Sequence, residues 1–423
     1  MNSKTSNREA KVFYGWYVLI ASSIILFFNQ GARVSIGIMF KPMILDLGWD
    51  RSSISLAVFL NFAVFALAVS FVGKFYDRYG PKWVIIVSTV LLSFGYMGIS
   101  IINDLWEFII LYGIFSAAGL GGTAVPIFSA IAGKWFERRR GLAISLALAG
   151  NCLGQFALVP LFTLFVLRYG WRMSHFLIGF IMLVVNVTLT LLVIRGDPKE
   201  LGYNSYGTGQ NIQRKVGENT GPSPDETEGL SLGMVIKTRS FWFFSTIMFI
   251  CGSADFMITT HFIPFVTDQG VSAATGGNML AWAGLMSLAG ILIVGPVSDM
   301  IGNKVPIAAT FILRFLLFSM ILKYQNVLSF YVFSLFFGMT FLVTAVTLPT
   351  LSGKLYGTAN LGAIIGVITT IHHVGGGFWA YVAGVVFDRT GGYQAVFLIS
   401  AVMAAIAVFC TLGIREERHY AGG

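Results

Sequence analysis

Apolar runs of 20 to 27 residues, separated by short polar breaks, fill almost the whole chain. A helix needs about 20 such residues to cross roughly 30 Å of hydrocarbon. The pattern therefore predicts twelve membrane-spanning helices, at 15–40, 53–75, 83–102, 107–133, 141–167, 173–195, 241–267, 276–298, 305–324, 328–351, 361–387 and 393–414. The runs are too long and too continuous for the alternating strands of a barrel. Between about 196 and 238 the pattern stops, and Gly, Ser, Asn, Pro and charges of both signs take over, as in Gly221-Pro222-Ser223-Pro224-Asp225. Such a composition predicts a mobile linker. It divides the spans six and six: an N-terminal bundle over 1–195, a linker over 196–240 and a C-terminal bundle over 241–423.

Composition agrees with an all-α membrane protein. Of 423 residues, 56% are hydrophobic and 11% charged, with a mean hydropathy of +0.77, whereas soluble domains carry about a quarter charged residues. The net charge of +9 is a matter of topology. With the N-terminus placed inside, 20 of the 28 Lys and Arg residues fall in inner loops and tails, the bias that fixes orientation. Both termini are then cytoplasmic, in a multi-pass protein of the cytoplasmic (inner) membrane. The run Arg138-Arg139-Arg140 reads as a topology signal, not a nucleic-acid patch. The basic residues Lys4, Arg8 and Lys11 precede a run too long for a signal-peptide core, so it is retained as the first span. Cys152, Cys251 and Cys410 lie inside predicted spans without metal-ligand spacing, which predicts buried apolar fillers and neither metal nor cofactor. A monomer is expected.

Internal repeats sharpen the division. Gly73, Asp77, Gly80 and Lys82, with Arg78 adding a cation, recur 222 positions later as Gly295, Asp299, Gly302 and Lys304. Arg168, Gly170 and Phe176-Leu177-Ile178 recur at an offset of 221 as Arg389, Gly391 and Phe397-Leu398-Ile399, and Gly133-Lys134 recurs at 220 as Gly353-Lys354. The glycines of the hairpin permit a tight turn and close helix approach, and Asp77 or Asp299 can cap a helix end or pair with a neighbouring cation. A plain positive-inside turn is the alternative.

The Gly-xxx-Asp-xx-Gly-x-Lys hairpin, present in both halves, resembles the signature loop of the major facilitator superfamily. The resemblance implies two pseudo-symmetric six-helix bundles around a central cavity, with the loop setting the balance between inward-open and outward-open states. A narrower resemblance lies at Tyr14-Gly15-Trp16 and at Trp135-Phe136-Glu137-Arg138-Arg139-Arg140-Gly141, with small residues at alternate places after it. These segments are similar to the monocarboxylate porter and oxalate:formate antiporter branch. Ser145 stands where that pattern has Gly, and Ile291 and Gly295 stand where the porters carry Asp and Arg before Pro296. Any carboxylate must find its cation elsewhere.

Ionisable groups inside a bilayer are costly and mark a function or a partner. The candidates for substrate binding or proton coupling are Arg33, Asp255, Arg314, His372 and His373, with the polar pair Asn151 and Gln155. Arg33 lies 19 residues past Tyr14, about 28 Å along its helix, near the outer end; it guides an anion or snorkels. Asp255 is a proton carrier, a structural cap or the partner of Arg33. Arg314 belongs to a helix that the resemblance places at the periphery, pairing with a carbonyl or turning inward. Of the adjacent histidines only one can point squarely into a cavity, because neighbours on a helix are about 100° apart. Gly375-Gly376-Gly377 beside them reads as a flexible or close-packed stretch. Asn151 and Gln155 line the cavity or bridge helices. Glu107, His175 and His261 fall near outer helix ends, where wet headgroup contacts are expected. The function implied is secondary active transport of a small organic anion, a monocarboxylate, with proton symport. Export of amphipathic or aromatic compounds and oxalate:formate-type exchange are the alternatives, and no enzyme chemistry is indicated.

Overall fold

A computed structural model describes residues 13–207, 230–357 and 360–414. Most of the expected linker, 208–229, lies outside the described residues, as do Lys4, Arg8 and Lys11. The helices are α1 (Gly15–Leu47), α2 (Arg51–Ile99), α3 (Leu105–Phe108), α4 (Ala117–Gly122), α5 (Val125–Trp135), α6 (Arg140–Leu192), α7 (Leu232–Val235), α8 (Arg239–Asp268), α9 (Ala273–Ile301), α10 (Lys304–Lys323), α11 (Val327–Thr340), α12 (Val343–Tyr356), α13 (Leu361–Thr390) and α14 (Gln394–Gly413). A π-helical stretch, Ile109–Ser116, joins α3 to α4. Among the described residues, ten runs are long and apolar enough to cross a membrane.

That ten differs from the predicted twelve because α2 and α6 each run through a break the sequence predicts. At about 1.5 Å per residue, the 49 residues of α2 would extend about 70 Å, more than twice a bilayer core. Both helices turn at one glycine: Gly80 (φ 78, ψ 164) and Gly170 (φ 77, ψ 169). These angles are open to glycine and strained for other residues. Gly302, the repeat of Gly80, has nearly the same conformation (φ 83, ψ 169). The lysines match as well, Lys82 Nζ donating to the Leu191 carbonyl at 3.3 Å and Lys304 Nζ to the Leu412 carbonyl at 3.1 Å. Each places a cation on the carbonyl end of a helix, where the dipole favours it.

Other parts of the hairpin depart from expectation. Gly73 and Gly295 face open space rather than a neighbouring helix. Asp77 and Asp299 are exposed, and α10 starts from Asn303 without a side-chain cap. The lysine, not the aspartate, supplies the helix-end contact.

Close helix packing occurs instead at other glycines. A Cβ at Gly375 would meet Phe249, at Gly376 Phe256 and at Gly377 Phe59, so the triplet is close-packed, with α13 lying directly on α8. Gly150 and Gly154 press on the α1 backbone at Ser23 and Phe27. Contacts joining residues before 206 to residues after 230 run from Ser287–Cys152 at mid-height to the end where α1 meets α2. At the opposite end, the segments of the narrower resemblance meet: Trp16 packs on Phe136 (5.0 Å between ring centres) and Tyr14 on Trp135 (5.7 Å). The chain leaving α6 docks there through Tyr206 N to Trp135 O (2.8 Å), while Leu230 N bonds Tyr356 O (3.0 Å). Arg139, between α5 and α6, is the one non-glycine residue with positive φ among the described residues (φ 61).

Candidate functional site

Two clusters divide the predicted ionisable residues. In the first, α8 presents Asp255 and, one turn earlier, Cys251, while α10 and α13 supply Arg314 and His372. Arg314 Nη2 meets Asp255 Oδ1 at 2.7 Å, with the two side chains 0% and 2% exposed. The guanidinium is satisfied on its remaining sides by Thr340 Oγ1 (2.9 Å), Thr340 O (3.2 Å) and Cys251 O (3.3 Å). The other Asp255 oxygen accepts from the Cys251 thiol (3.4 Å) and faces His372 Nε2 at 3.5 Å. Arg314 thus turns inward, and Asp255 pairs with it and not with Arg33. Cys251 is a member of a polar network rather than a plain filler. The ligand-type atoms of Cys251, Asp255 and His372 lie within 4.8 Å of one another. Arg314 already stands 3.6 Å from the thiol sulphur, so a metal ion there would face a fixed cation, and the trio suits a buried network better than a metal site.

The second cluster surrounds Arg33 of α1. Its guanidinium carbon lies 5.1 Å from the ring centre of Phe62, 4.8 Å from Phe65 and 5.3 Å from Phe256. Phe62 and Phe256 stack on each other at 3.9 Å, joining α2 to α8. His373 completes the box, 4.8 Å from Phe65 and 5.3 Å from Phe256, and its Nδ1 lies 2.8 Å from the Thr369 carbonyl. Arg33 is half-buried, has no ion pair among the described residues, and its Nη2 is buried without a hydrogen-bond partner among them. Cation–π contact offsets part of the desolvation, and the unpartnered Nη2 leaves one buried donor that an acceptor oxygen would satisfy. His372 and His373, with ring centres 5.2 Å apart, link the two clusters.

A third group closes the end where α1 meets α2, and only part of it was legible in the sequence. Asp268, the last residue of α8, holds Lys41 Nζ at 2.7 Å and Arg51 Nη2 at 2.8 Å. Arg51 also donates to the Tyr393 hydroxyl (2.8 Å) and stacks on Phe387 at 3.5 Å. The first N–H groups of α2, at Arg51 and Ser52, are capped by the carboxylate of Asp388 at 3.1 and 2.7 Å. His261 is no headgroup contact. It is 1% exposed, with Tyr393 Oη and the Ala380 carbonyl each at 2.9 Å and Ser55 Oγ at 3.3 Å. His175 is equally buried, its Nδ1 3.0 Å from the Trp171 carbonyl. Glu107 does sit at an exposed helix start, accepting from Asn103 N (2.8 Å) and Asp104 N (3.1 Å).

Gln155 bridges helices. It accepts from Gln30 Nε2 (3.4 Å) and donates to the Leu280 carbonyl (3.0 Å). Asn151, one turn earlier, is half-buried.

Comparison with known proteins follows the same lines. A family model described as Major Facilitator Superfamily matches residues 22–380 and again 244–421. The chain is 25% identical over 418 residues to human monocarboxylate transporter 11, covering 95% of this chain and 83% of that protein. It is 23% identical over 404 residues to YcxA of Bacillus subtilis (strain 168), an uncharacterized transporter of the same type, with 94% of each chain covered. A bacterial homologue of the human lysosomal transporter Spinster, solved in an inward-facing and occupied conformation, superposes with a TM-score of 0.74 at 15% identity over 96% of this chain and 97% of that one.

Proposed function

Since the chain belongs to the major facilitator superfamily, a family of transporters and not of enzymes, we propose that it carries a small organic anion, a monocarboxylate, by alternating access with a proton. The observation that carries this reading is Arg33: a half-buried guanidinium set among three phenyl rings, with no ion pair among the described residues and a buried donor left over. Two bundles, 1–195 and 241–423, joined by 196–240, rock about this site in the cytoplasmic membrane. The end bearing Gly80 and Gly302 faces the cytoplasm, and the Asp268 and Asp388 contacts close the outer face. The human relative's name points to the same substrate class. His372 and His373 lie beside the anion site and are the residues assigned to proton coupling. Asp255, committed to Arg314, keeps His372 in place instead of carrying the proton alone.

Arg33 also favours a second reading, anion exchange. A guanidinium keeps its charge throughout, so an empty carrier must return with an unpaired, half-buried cation, whereas one loaded with an anion does not. Uptake of labelled monocarboxylates into proteoliposomes separates the two. Symport predicts that an alkaline interior accelerates uptake, and indifference to the gradient removes the proton. Exchange predicts that unlabelled anion inside accelerates uptake at equal pH.

A further inference from the structure

The rings around Arg33 define what the anion must carry besides its charge. From this geometry, and resting on the anion reading above, we infer that the preferred substrate is a monocarboxylate with a large apolar body, best an aryl group, and that Phe62, Phe65 and Phe256 select it.

Three observations converge. First, the walls are phenyl rings from two directions, Phe62 and Phe65 on α2 and Phe256 on α8, all within 5.3 Å of the guanidinium carbon. Phe256 is held in place by contact with Gly376, where any side chain would collide with its ring. Phe62, stacked on Phe256 at 3.9 Å, completes a preset apolar wall, whose ring edges an aromatic body would meet as the bundles part. Second, the nearest other arginine of the membrane interior is already spent. Arg314 is fully buried and its donors are committed to Asp255, Thr340 and Cys251. A second carboxylate, as in oxalate, would lose its water against apolar rings with no compensating donor. Third, His373 has one ring nitrogen already engaged, Nδ1 with the Thr369 carbonyl at 2.8 Å, so the rings dominate the wall beside the guanidinium. A small acid such as lactate offers these rings no more than a methyl group.

The test uses the full chain purified in detergent and in proteoliposomes, with benzoate, lactate and oxalate as probes. Ligand-induced thermal stabilisation of the native protein should rank benzoate first, with an affinity at least about fivefold above lactate, as expected for a well-placed aromatic contact, and oxalate last. Phe65→Leu, which keeps the bulk but removes the ring, should bring the benzoate-to-lactate ratio in competition uptake close to one. If lactate binds as well as benzoate, or if oxalate binds best, the apolar-body inference falls while anion transport stands. If none of the three stabilises the protein or is taken up, the anion reading falls as well. A Phe65→Leu protein with an unaltered ratio overturns the assignment of selection to that ring.

Discussion

A guanidinium and a carboxylate 2.7 Å apart and shielded from water form a pair from which neither member is removed cheaply. Losing one charge strands the other at a cost of about 3–5 kcal/mol, more than losing both. Asp255→Asn alone should therefore lower the unfolding temperature in detergent sharply, and Asp255→Asn combined with Arg314→Met should recover much of the loss. A single variant that melts like the parent would show that the pair is not a structural unit. That these residues matter was legible in the sequence, because charges inside apolar runs are conspicuous. Their pairing was not: Arg314 and Asp255 are 59 positions apart, and helix phase over that separation is not readable from hydropathy. The burial of His261 and His175 escaped for a related reason. Position along a span locates a residue in depth but does not say whether it faces lipid or protein.

Helix ends carry the switch in this account. Helix α9 is capped by its own Ser272, which accepts from Thr275 N at 3.1 Å. Helix α2 begins after Asp50 without a cap from that side chain and takes one from Asp388, 336 residues away. A lost cap is worth about 1 kcal/mol, and Asp268 adds the ion pairs to Lys41 and Arg51. Asp388→Ala should thus shift the balance towards the state open at this end by about fivefold, and Asp268→Asn in the same direction. Spin labels attached through Leu45→Cys and Thr390→Cys, both exposed near this end, should report a larger long-distance population in each variant. An unchanged distance distribution would show that these contacts do not hold the face closed. The hairpin glycines were legible because a turn open to glycine alone leaves a mark in sequence. A cap supplied from across the molecule leaves no local mark.

Over the whole molecule, one repeated unit carries two different tasks. The repeat offsets seen in sequence return as matched backbone at Gly80 and Gly302 and matched lysine contacts at Leu191 and Leu412, so the ancestry of the two parts was readable. The division of labour was not. The C-terminal part keeps its buried arginine neutralised by Asp255, whereas the N-terminal part leaves Arg33 among rings. On the proposed reading, that asymmetry provides the receptor for a negative charge. The most direct test is equilibrium binding of lactate, pyruvate and benzoate to the purified protein, compared with Arg33→Gln. The account predicts that at least one of these anions binds the parent and that the variant binds it about tenfold or more weakly, as expected for the loss of a charge-assisted hydrogen bond. Equal affinity in parent and variant would contradict it.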